Sequence, residues 1–139
     1  YLGALPLPDD RGAMKHFLEA LTWHTDCGDC IMIYPEAHIW PFYTGIRPFP
    51  DTSFRYPVQQ KLPVFCLTNT YQRRGKSHIP QIVTYLDGPF YPDAELPAKL
   101  QKTQLRDQVY EAMGKRAQNS NIEMIRYIKK DTDREKSFI

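Results

Sequence analysis

No stretch of this chain strings together the roughly 20 apolar residues that a transmembrane helix needs, which excludes a helical membrane span. No signal peptide opens it and its first residue is not Met, so the natural N-terminus is expected upstream of Tyr1. Charge of one sign is also missing. Eighteen basic side chains face 16 acidic ones, for a net charge of +2. That balance speaks against a nucleic-acid-binding polycation and suits a protein handling anionic small molecules or a lipid surface. Cysteine is sparse: three thiols, an odd number, argue against a secreted disulfide framework and for a reducing compartment. No internal repeat or low-complexity tract occurs. What the chain does have is proline, 12 of 139 residues, most of them between 35 and 97. They imply strands and ordered loops over that stretch rather than helices.

At this length the chain is one domain at most, read as a single α/β domain over 1–130 with a charged tail over 131–139. "RGAMKHFLEALTWH" has apolar residues at 13, 14, 17, 18 and 21, a helical spacing, and Asp9-Asp10 ahead of it suits an N-cap. "IMIY" (31–34) predicts a strand buried on both faces. A loop fills 37–50. "TSFRYPVQQ" predicts a short helix cut by Pro57. "LPVFCLTNTY" and "PQIVTYLDGPFY" predict two more buried strands. "PAKLQKTQLRDQVYEAMGKRAQ" places Leu105, Val109, Ala112 and Met113 on one helical face behind Pro97, and "IEMIRYIKK" predicts a shorter helix. The order of elements implies a β-sheet flanked by helices.

Four groups of residues carry candidate chemistry. Cys27-Gly28-Asp29-Cys30, with His24 three residues earlier, offers three zinc ligands or a redox pair. A fourth ligand is missing, and the motif precedes a predicted strand rather than opening a helix, so structural thiols are expected and no metal is assigned. His24 and Asp29 also stand in a His-x4-Asp spacing, which a general base paired with its orienting carboxylate can use and which chance also produces. Glu36, stiffened by Pro35, is either a solvated loop acid or an acceptor for substrate hydroxyls. Arg47 is either surface charge or a fork for phosphate. Trp40, Phe42, Tyr43, Phe49 and Phe54 either pack as core or line an apolar groove.

"IMIYPEAHIW", then "RPFPDTSF", then "LPVFCLTNTY" resemble, in that order, motifs of the phospholipid/glycerol acyltransferase superfamily, the 1-acylglycerol-3-phosphate acyltransferase-like enzymes. Tyr34-Pro35-Glu36-Ala37 stands where the family has Phe-Pro-Glu-Gly. Arg47 and Ser53-Phe54 match the basic residue and the segment that follow. Leu62-Pro63-Val64-Phe65-Cys66 matches the next apolar strand, and "LGALPLP" falls where the second motif belongs. The resemblance covers about residues 1–115. Ala37 replaces the usual glycine, Cys66 a common proline, and Arg11 lies late for the second-motif arginine.

The resemblance implies a glycerol-3-phosphate acyltransferase-like α/β fold lacking its N-terminal part. It implies transfer of a fatty acyl group from acyl-CoA or acyl-carrier protein to a glycerol phosphate or lysophospholipid hydroxyl. No cofactor beyond that co-substrate is implied, a membrane surface is an expected partner, nucleic acid is not, and the location is cytoplasmic and peripheral to the membrane. Tyr34, Pro35, Glu36 and Arg47 would bind substrate. The family's catalytic His-x4-Asp precedes the second motif, so His24–Asp29 is out of place, and the catalytic pair is expected upstream of Tyr1. Two alternatives stand beside this: a catalytically inactive lipid- or partner-binding module of the same fold, and a small zinc or redox protein using His24, Cys27 and Cys30.

Overall fold

The structure is a computed structural model and describes residues 3–128. The chain divides into two compact units, Tyr1–Pro35 and Glu36–Ile139. Its class is α/β: the described residues form three helices and a two-stranded antiparallel sheet. No helix among the described residues is long and apolar enough to cross a membrane.

The first unit is built around α1 (Arg11–Asp26). Asp10 caps it as its position predicts: its Oδ1 accepts from Ala13 N at 2.7 Å, satisfying one of the orphan donors of the first turn. The other end closes with a left-handed glycine. Gly28 has φ +83°, its N–H donates to Thr25 O, and Asp29 N–H donates to His24 O, both at 3.0 Å. This paired 5→2 and 6→1 bonding is the Schellman arrangement.

The expected strand at 31–34 is not there. Ile31–Tyr34 is irregular, and Met32, Ile33 and Tyr34 are exposed. A strand exists only where a second one completes its hydrogen bonds, and no described strand pairs with these four residues. Glu36 therefore does not stand at the end of a strand.

In the second unit a 3₁₀ turn, Thr52–Phe54, runs into α2 (Arg55–Gln60). Pro57 does not cut that helix. It sits in the first turn, where a missing N–H leaves no bond unmade. Strands β1 (Val64–Gln72) and β2 (Gln81–Phe90) form a hairpin in register from Gln72↔Gln81 to Cys66↔Asp87, with a bulge between Val64 and Cys66. They alternate rather than being buried on both faces: Cys66, Thr68 and Thr70 are buried under α3 (Ala98–Ala117), and Phe65, Leu67, Ile82 and Leu86 are exposed. α3 contributes Leu105, Val109 and Met113 to a core completed by Phe49, Phe54 and Cys66. Burial pushes the Cys66 thiol pKa up, so this cysteine is a small apolar filler, not a nucleophile.

The helix expected over 122–130 is absent from its described part. Residues 121–128 are irregular, and the residue that would cap a helix there, Asn121, is engaged with β1. Ser120 Oγ accepts from Tyr71 N, Asn121 N donates to Tyr71 O, and Asn121 Oδ1 accepts from Arg73 N at 2.7 Å. The end of β1 thus takes the side chain a helix would have used as its N-cap. Residues 129–130 and the tail at 131–139 lie outside the described residues.

Candidate functional site

The loop after Pro35 turns at once. His38 N donates to Glu36 O at 2.8 Å around Ala37, whose φ is +60°. That left-handed conformation suits glycine and costs an alanine roughly 1–2 kcal/mol. A second turn closes at Tyr43 N to Trp40 O, 3.2 Å. The loop then returns, and Arg47 N donates to Glu36 Oε2 at 3.0 Å. Glu36 and Arg47 are therefore brought together, eleven residues apart, by a side-chain-to-backbone staple that the sequence did not disclose. The Glu36 carboxylate is spent in part on holding the loop.

The Arg47 guanidinium lies over the Trp40 ring, 4.3 Å from its centroid. Trp40 stacks in turn on Tyr127 (4.7 Å between centroids, planes at 20°), and Tyr43 meets both rings edge-on. Tyr127 is tied down by its hydroxyl, which donates to Pro41 O at 2.8 Å. The result is an aromatic wall behind a cation. Arg47 Nη1 is buried and has no hydrogen-bond partner among the described residues. Burying a charged donor without a partner is costly.

The aromatic cluster of the sequence thus splits. Phe49 and Phe54 stack in the core, while Trp40 and Tyr43 wall the loop and Phe42 packs on Tyr71. Tyr127 was missed, because its segment reads as a helix and its contact with Pro41 spans 86 positions. Tyr34 and Pro35 belong to the first unit: Tyr34 is 78% exposed and Pro35 half-buried at a turn.

His24 and Asp29 are brought together. His24 Nδ1 donates to Asp29 Oδ2 at 2.8 Å. These are the two positions that the Schellman arrangement sets against each other, and here a hydrogen bond occupies the place of the usual apolar contact. Helix capping accounts for the spacing without chemistry. Cys27 and Cys30 are free and exposed, and no group of three His, Cys, Asp or Glu side chains among the described residues is placed to hold a metal.

No protein-family model, no curated protein and no solved structure matches this chain.

Proposed function

We propose that this chain is the acceptor-binding part of an acyltransferase of the phospholipid/glycerol type, with the acyltransferase-like fold that its ordered motifs imply. The acceptor is a glycerol phosphate or lysophospholipid, and the donor is acyl-CoA or acyl-carrier protein. The observation that carries this reading is the Glu36–Arg47 loop, with a buried, unpartnered guanidinium nitrogen on an aromatic wall beside a carboxylate. Arg47 takes the acceptor's phosphate through a charge-assisted hydrogen bond. Glu36 Oε1 accepts from a glycerol hydroxyl and aligns it. The hydroxyl oxygen then attacks the thioester carbonyl. A carbon–oxygen bond forms, the carbon–sulfur bond breaks, and the thiolate leaves and is protonated. The base that takes the hydroxyl proton is assigned to no residue of this chain, and the enzyme acts at a membrane surface on the cytoplasmic side.

Trp40 supplies a direct test, since it lies against the guanidinium. Glycerol 3-phosphate should change its fluorescence saturably and glycerol should not, with a Trp23→Phe variant removing the other indole. No response in that variant, together with no heat of binding, would remove the phosphate site from this loop.

A second reading has one observation in its favour. The His24–Asp29 bond holds Nδ1 and leaves Nε2 open, the arrangement of a general base. Incubation with acyl-CoA and lysophosphatidic acid separates the two: the first reading expects no thiol release, because general-base catalysis typically supplies about 10²–10⁴-fold. Turnover abolished by His24→Ala would establish the second reading.

A further inference from the structure

The turn between β1 and β2 carries Arg73, Arg74, Lys76 and His78 and no acidic residue, and every residue from 73 to 79 is exposed. It is a built loop. Ser77 N donates to Arg74 O at 2.9 Å, Ser77 Oγ donates to Ile79 O and accepts from Ile79 N, both at 3.1 Å, and Asn121 Oδ1 holds Arg73 N. Glu123, on the segment that docks here, is paired with Arg126 at 3.2 Å, so it does not neutralise the tip. Directly beside the basic residues stand aliphatic ones that a water-facing turn has no use for. Ile79 is 75% exposed and Ile82 57%; on the same sheet face, beyond the exposed Thr84–Asn69 hydrogen-bonded pair, Leu86, Leu67 and Phe65 are exposed as well. Exposed apolar side chains gathered on a folded chain mark an interaction site.

We propose that this hairpin docks on an anionic lipid bilayer, with Arg73, Arg74 and Lys76 against the headgroups and Ile79 and Ile82 entering the interface. The pattern of cations beside aliphatic side chains is the one that interfacial anchors use. A second copy of the chain would set two like-charged tips against each other. A nucleic acid would call for a platform of stacking rings at the tip; the turn from 73 to 79 offers one ring, His78, and Tyr71 at its start is packed against Phe42. The proposal extends the membrane-surface part of the function proposed above, but it rests on the hairpin alone. Vesicle binding is read without acyl transfer, so either can fail while the other stands.

The test is co-sedimentation of the whole chain with vesicles of phosphatidylcholine alone and of phosphatidylcholine mixed with phosphatidylserine. Binding is expected to the mixed vesicles only and to weaken with salt. At about fivefold per basic residue, changing Arg73, Arg74 and Lys76 together to Gln should weaken it on the order of 10²-fold. Ile79→Ser should weaken it further while leaving the salt dependence in place, and thermal unfolding of both variants should match the parent. Three results would overturn the proposal: no sedimentation with mixed vesicles at low salt, binding that ignores the triple change, or a concentration-dependent dimer lost in Ile79→Ser without vesicle binding. Equally tight binding to a single-stranded oligonucleotide, insensitive to Ile79→Ser, would assign the tip to nucleic acid instead.

Discussion

Arg47 owes its position to two contacts of different kinds. Its backbone N–H is held by Glu36 Oε2, and its guanidinium rests on Trp40. The two halves of Glu36's role can therefore be separated by substitution. Glu36→Gln keeps one acceptor oxygen for Arg47 N but loses the charge and turns the other oxygen into an amide donor, so the loop should persist and acceptor binding should fall. Glu36→Ala removes the staple, and the Arg47–Trp40 contact should loosen as well, visible as altered Trp40 emission before any ligand is added. Gly88 is a residue of another sort, needed for space. Its φ is +129°, and a Cβ there would lie 2.8 Å from Val64 O. Gly88→Ala should cost roughly 1–3 kcal/mol in backbone strain, with more from the clash, and urea unfolding would register it as a lower midpoint with unchanged slope.

The clearest joint between elements is the fork from Arg116, in the last turn of α3, to Asp87 on β2. Nε donates to Asp87 Oδ1 at 3.1 Å and to Oδ2 at 2.9 Å, and Nη2 donates to Oδ1 at 2.7 Å. These bonds hold the Asp87 carboxyl below the ordinary aspartate value of 3.8. A depressed folded pKa contributes stability that is present above the unfolded value and lost as pH falls through the folded one. Asp87→Asn should therefore lower the melting temperature at neutral pH and flatten the loss of stability below about pH 4. An acid melting series that runs parallel to the parent's would remove the fork from the account of helix docking.

Elements also show how far the sequence reaches. α1 and α3 were legible because helical periodicity and caps are local, as were the two strands and the short α2. The strand at 31–34 was not, since four apolar residues say nothing about whether a partner exists. The segment after Asn121 was misread for a related reason. Its helical spacing is real, but Tyr71 and Arg73 hold Asn121 and Pro41 holds the Tyr127 hydroxyl, all from far along the chain. In the candidate site, Glu36 and Arg47 were legible as residue types after a proline-rich turn. The staple between them and the Tyr127 wall were not, because both depend on tertiary contacts that no short pattern encodes.

Across the whole molecule a net charge of +2 conceals an uneven distribution. Three fixed cations share one hairpin turn, and another is set into an aromatic wall with a buried nitrogen left unpaired. The central claim concerns that last cation. Calorimetric titration with lysophosphatidic acid, comparing the parent chain with Arg47→Ala, tests it most directly. A hydrogen bond to a charged group contributes about 1.5–3 kcal/mol, so the variant should bind roughly tenfold to a hundredfold more weakly while keeping its thermal midpoint. Equal affinity in the two folded proteins would contradict the assignment of phosphate to Arg47.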